Sequence, residues 1–216
     1  MVMAKTVEEA ISRVKGKNLY AETENYYWIE TEKGLVKVLK PLSEGTVKTK
    51  LRLGEFPEKY IQQIFLENKI KTKALEEAMQ TKKGLLLSGK AGIGKTFACI
   101  YKIAKLLREY KISAPLYITL QDFDIKKEQE EKRLKEYDCI LIDDLNPNLN
   151  NWEKKFATEV IYHAYNNNKK LFITTNASIK DLFSFIAEEP VISRLLEMCE
   201  LKEIKETKDL RTIKLA

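Results

Sequence analysis

Residues 89–96 read GKAGIGKT. The run Gly89, Lys90, Ala91, Gly92, Ile93, Gly94, Lys95 and Thr96, followed by Phe97, meets every fixed place of the spacing G-x-x-x-x-G-K-[ST]. Its chemistry is phosphate binding. The three glycines let the backbone bend tightly and turn its N–H groups inward. A helix opening near Lys95 would add its positive end beneath an anion. Lys95 would set a point charge against β- and γ-phosphates, and the Thr96 hydroxyl could ligate Mg²⁺. The alternative is a plain glycine-rich turn. The apolar run before the motif and the helical period after it favour the phosphate reading.

Three further stretches carry candidate chemistry. CILIDDL (139–145) is an apolar run that ends in two acids. Such a strand brings carboxylates to the carboxyl edge of a sheet, where ligands sit in open α/β folds. Asp143 would hold Mg²⁺, directly or through water, and Asp144 would orient or deprotonate an attacking water. Two acids that merely solvate a strand tip are the other reading. LFITTN (171–176) ends in Thr174, Thr175 and Asn176. Asn176 would aim an amide at the same water, although asparagine also favours turns. Arg194, in PVISRLLEM, could reach a neighbouring subunit's nucleotide in trans, or be a surface arginine.

These residues need a scaffold that carries them to one edge. From Gly84 onward, short apolar runs alternate with helical periods. Strands are expected at 85–88, 116–120, 139–145, 171–176 and 199–204. Helices are expected at 96–110, 125–137 and 152–167, with two short ones over 178–198. Unbroken apolar strands between helices predict an α/β fold with a five-stranded parallel sheet and helices on both faces. The front differs. TVEEAISRVKG suggests a short helix, and residues 25–42 look like a β-hairpin around TEKG. This gives a small module over 1–45, a linker and a helix leading into the core over 46–83 (the helical stretch itself reading 61–84, up to the first core strand), and the core over 84–216. About a dozen residues follow the fifth strand, so no helical lid is expected.

Composition narrows the classes. No run of eighteen apolar residues exists, and the first residues turn charged too soon for a secretory signal, so a cytoplasmic protein without membrane contact is expected. The three cysteines stand far apart in apolar runs, which reads as buried free thiols and not as a zinc site. The net charge is +6, and residues 1–83 hold 16 Lys and Arg against 12 Asp and Glu. That surplus suits a nucleic-acid partner or simple solubility. Tyr26, Tyr27 and Trp28 read first as the core of the small module and second as a base-stacking platform.

Taken together, GKAGIGKT, CILIDDL, FITTN and ISRL resemble the AAA+ fold. Their order and spacing are similar to those of the DnaC/DnaI helicase loaders and the IstB-type transposition helper ATPases. LRLGEFPEKYIQQIFLEN (51–68), YITLQDF and YHAYNNNKKLFITTN resemble further segments of that family, over about residues 50–212. The resemblance implies an ATPase in which Lys95 and Thr96 bind ATP with Mg²⁺ and Asp143 coordinates the metal. Asp144 takes the catalytic acid position, which many AAA+ proteins fill with glutamate. Asn176 would be the sensor and Arg194 the finger. Arg211 falls where the family often has an arginine near the nucleotide. The resemblance further implies self-association into a ring or spiral, a replicative helicase as partner, and single-stranded DNA in the channel near Lys126, Lys127, Lys132 and Arg133. The alternative within the family is a transposase partner on duplex DNA. A small-molecule P-loop kinase would need a lid with clustered arginines, and none is visible.

Overall fold

The computed structural model describes residues 2–66, 71–120 and 134–205. The five expected core strands are β4 (Gly84–Gly89), β5 (Pro115–Thr119), β6 (Cys139–Asp143), β7 (Lys170–Thr175) and β8 (Cys199–Ile204). They form one all-parallel sheet in the order β5-β6-β7-β4-β8. The chain leaves β4, crosses to the far edge, returns strand by strand, and sets β8 on the other side of β4. The topology therefore switches direction at β4, the strand that feeds the glycine-rich loop, and the carboxyl ends beside it form the crevice.

Alternate residues of these strands go to opposite faces. Leu85, Leu87, Tyr117, Leu141 and Phe172 join the apolar cluster beneath α2 (Glu44–Leu53), α3 (Glu58–Gln63), α4 (Lys73–Gln80) and α5 (Lys95–Arg108). Leu86, Leu116, Ile118, Ile140, Ile142, Leu171 and Ile173 meet α6 (Asn151–Asn166), α7 (Ile179–Ile186) and α8 (Glu189–Met198). Both faces are thus covered by helices, and every central strand is apolar on both sides. Cys99, Cys139 and Cys199 are buried free thiols within these clusters. Burial raises all three, Cys199 to about 12.

Two sequence expectations are corrected. The single helix over 61–84 is two helices among the described residues. Thr72 stands extended (φ −124°, ψ 155°) and its side chain accepts from Leu75 N, so α4 starts afresh there. The linker before it is helical as α2, capped by Ser43 and fixed by burial of Val47 and Leu51. The expected helix over 125–137 and Lys126, Lys127, Lys132 and Arg133 lie mainly outside the described residues, as do Arg211 and the stretch that bears on a lid.

The front module packs α1 (Val7–Val14) on three antiparallel strands, β1 (Asn18–Glu22), β2 (Tyr26–Thr31) and β3 (Gly34–Leu39). The expected hairpin is β2–β3, and β1 is an addition to it. Tyr27 and Ile29 are buried with Ala10 and Val38. Tyr26 and Trp28 alternate to the opposite face, where the Lys37 ammonium lies 3.5 Å and 5.5 Å from their ring centroids. The aromatic run is therefore core on one side only. Among the described residues, no helix is long and apolar enough to cross a membrane.

Candidate functional site

The loop between β4 and α5 needs its glycines. Gly89, Gly92 and Gly94 have φ of 150°, 82° and 89°, a region that L side chains rarely enter. A Cβ on Gly89 would also lie 2.7 Å from the Ile204 carbonyl oxygen. Gly94 caps α5 without any side-chain hydrogen bond, and no acid stands in the first turn. By contrast α1, α2, α4, α6 and α7 all have a side-chain oxygen accepting from their first turn. The first N–H groups of α5 are thus left facing the loop, together with the positive end of the helix. Ile93 is buried and anchors the loop in the apolar cluster, while Phe97 packs at its border.

Lys95 is 7% exposed. Its ammonium donates to the carbonyl oxygens of Gly89 (2.7 Å) and Lys90 (2.8 Å), and to Asn176 Oδ1 (2.8 Å). Asn176 Nδ2 in turn donates to Asp144 Oδ1 at 2.7 Å. One amide therefore bridges the loop lysine and the second acid of CILIDDL. Asp144 itself has φ 58°, a left-handed kink that aspartate tolerates better than most residues. Its N–H donates to Thr174 Oγ1 at 2.9 Å. That forces the Thr174 hydroxyl proton toward Asp143 Oδ1, 2.6 Å away. Thr96 Oγ1 donates to the same oxygen at 2.7 Å, and the Tyr117 phenol donates to Asp143 Oδ2 at 2.6 Å.

The structure thus brings Lys95, Thr96, Asp143, Asp144 and Asn176 together at the switch point, from three separate segments. Sequence reading missed Tyr117 and the linking hydroxyl of Thr174. The signal for Tyr117 was a phenol in a buried apolar strand, where an O–H requires a partner. Arg194 is not in this cluster. It sits on α8 with Nη1 donating to the Pro190 carbonyl (2.8 Å), and its guanidinium lies over the rings of Tyr162 (4.6 Å) and Tyr165 (5.0 Å). Among the described residues no group of three or more His, Cys, Asp or Glu side chains converges as a metal cluster.

A hydroxyl and a carboxylate are hard oxygen donors of the kind Mg²⁺ takes, usually with several waters. Thr96 directs its proton to Asp143 and so keeps its lone pairs for a cation. The residues present fit a magnesium nucleotide.

No protein-family model and no curated protein matches the sequence. Solved structures do match. The DnaC helicase loader is 24% identical, with a TM-score of 0.56 over 69% of this chain and 100% of that one. DnaI is 16% identical, with a TM-score of 0.56 over 69% of this chain and 95% of that one. AMPPCP-bound DnaA from Aquifex aeolicus is 17% identical, with a TM-score of 0.50 over 67% of this chain and 51% of that one. What they share with this chain is the fold: its parallel α/β core resembles that of the DnaC and DnaI structures.

Proposed function

We propose that this chain is a cytoplasmic AAA+ ATPase of the helicase-loader type, which binds ATP with Mg²⁺ in the 89–97 loop and delivers a replicative helicase to single-stranded DNA. The observation that carries the reading is the joined polar cluster of Lys95, Thr96, Asp143, Asp144 and Asn176 beneath an uncapped helix end. Glycine backbone amides and Lys95 would hold the phosphates. Thr96 and Asp143 would hold Mg²⁺, whose charge would offset that of the phosphates. Asp144 would accept a proton from water at its carboxylate, with Asn176 fixing that carboxylate through Nδ2. Arg194, outside its own cluster, would complete the site of a neighbouring copy in a ring or spiral. The domain division 1–45, 46–83 and 84–216 fits this plan, with the front module as the partner- or DNA-binding part.

Calorimetric titration with MgATP tests the reading. The wild type should release binding heat and Lys95→Ala should release none. Arg194→Ala should bind as the wild type does and lose turnover. No heat from the wild type sinks the nucleotide reading, and normal turnover by Arg194→Ala sinks the finger in trans. Co-purification with a hexameric helicase supports the loader reading; co-purification with a transposase replaces it with the transposition-helper one.

A further inference from the structure

We infer that Tyr117 is a positioning residue for Asp143, and that the segment before the core holds it in place; this rests on the magnesium-nucleotide reading above. In the β5–β6 register Thr119 lies opposite Asp143, and Tyr117 lies opposite Leu141. Tyr117 is therefore two residues back on the same face, the diagonal from which a long side chain reaches Asp143. Its ring lies in the apolar cluster and is only 9% exposed. A phenylalanine would fill that space equally well. What the hydroxyl adds is the 2.6 Å bond to Asp143 Oδ2.

That bond completes a division of the carboxylate. Thr96 and Thr174 both donate to Oδ1, and Tyr117 donates to Oδ2. A carboxylate anchored at one oxygen can still turn about its Cβ–Cγ bond. Anchored at both, it holds its remaining lone pairs in one direction. Supporting bonds of this kind orient ligands toward a cation.

Tyr117 is itself held by residues 54–57. Its N–H donates to the Gly54 carbonyl at 2.8 Å, so this segment continues the hydrogen bonding past the edge strand. The Phe56 ring is tilted against the Tyr117 ring, with centroids 5.5 Å apart at 51°. Gly54 leaves no room to shift, because a Cβ there would lie 2.0 Å from the Pro115 carbonyl oxygen. The pre-core segment and the metal-side carboxylate are thus connected through one phenol.

The test is nucleotide binding with and without metal, using a fluorescent ATP analogue titrated in Mg²⁺ and in EDTA. The wild type sets the ratio of the two affinities. Tyr117→Phe should keep its affinity in EDTA within about twofold and lose about tenfold of the enhancement by Mg²⁺, the scale of support behind metal ligands. Phe56→Leu should shift the ratio the same way by a smaller factor, and gives a second route should the tyrosine variant fold poorly. An unchanged ratio in both variants overturns the inference. So does an equal loss in EDTA and Mg²⁺, which would make Tyr117 a general packing residue. A wild type that binds in neither buffer overturns the nucleotide reading itself, and the inference with it.

Discussion

Gly54→Ala is a one-methyl perturbation whose sign the structure decides. Gly54 has φ −88° and ψ 13°, a conformation alanine adopts freely. On backbone entropy alone the substitution would stabilise by about 0.4–1 kcal/mol. The added Cβ, however, would meet the Pro115 carbonyl oxygen at 2.0 Å, the Pro115 carbonyl carbon at 3.0 Å and Phe56 Cε2 at 3.1 Å. Two of these are backbone atoms of a paired strand, so they yield only by moving β5. Overpacking of this kind costs about 1–3 kcal/mol. Displacing the segment also weakens the 2.8 Å bond from Tyr117 N–H to Gly54, worth about 1 kcal/mol. The steric terms win, for a net loss of about 2 kcal/mol. At about 2–4 °C per kcal/mol for a chain of this length, the melting temperature should fall by about 4–8 °C. Gly45→Ala is the matched control. Gly45 lies in the first turn of α2, and a Cβ there would meet nothing within 4 Å. That variant should melt slightly above the wild type, since alanine is the better helix former. Calorimetry on the two proteins decides the matter. A Gly54→Ala variant that melts at or above the wild type would show that the segment is not seated on β5 as described.

Thr174→Val removes the hydroxyl that joins the Asp144 amide to Asp143, while keeping nearly the same volume. Thr174 is 2% exposed, and the substitution removes its bonds to both the Asp144 amide and Asp143; urea unfolding should show a loss of about 1 kcal/mol, and an unchanged midpoint would mean that these bonds add nothing to stability. The thiols give a test by pH. Burial raises Cys99, Cys139 and Cys199, the last from 9.0 to about 12. A raised acid keeps its stabilising contribution below its unfolded value and loses it above. Stability should therefore decline as pH climbs from about 9 toward 12, and alkylation at pH 8 should modify none of the three until denaturant is added. Mass spectrometry of native protein after iodoacetamide checks this, and rapid labelling would contradict the burial.

The parts that were legible in the sequence are those encoded locally. The glycine loop is contiguous, and its strand–loop–helix context fits in about 25 residues. The parallel strands read clearly because burial on both faces leaves unbroken apolar runs such as LLL, CILI and LFI. What escaped depends on partners distant in sequence. β1 is a mostly exposed strand, NLYAE, with its period broken where the register shifts between Leu19 and Ala21. α2 carries Gly45 and the β-branched Thr46, Val47 and Thr49, weak helix formers whose helix is secured by burying Val47 and Leu51. The break at Thr72 shows only in the structure, because the helical period runs on either side of it. Tyr117 could be assigned to a strand from sequence, yet its bond to a residue 26 positions away follows only from the strand register.

The site's residues divide by exposure, and the division separates two kinds of work. Lys95, Thr174, Thr175 and Ser88 are buried, at 7%, 2%, 0% and 1% exposure. Buried polar groups persist only when bonded. Ser88 accordingly donates to the Ala177 carbonyl at 2.6 Å, and Thr175 accepts from Ala177 N at 3.1 Å. These groups hold the loop, β6 and β7 in mutual register, so any substitution among them changes the fold's stability together with the site. Asp144 and Asn176 are exposed at the lip of the same cluster. Their bond to each other is open to solvent competition and adds little to stability. Fold stability therefore gives little reason for an acid and an amide to stand there, Asp144 in a left-handed kink and Asn176 bonded to Lys95. A buried, bonded base with an acid and an amide at its exposed rim is the arrangement the proposed phosphate site would use.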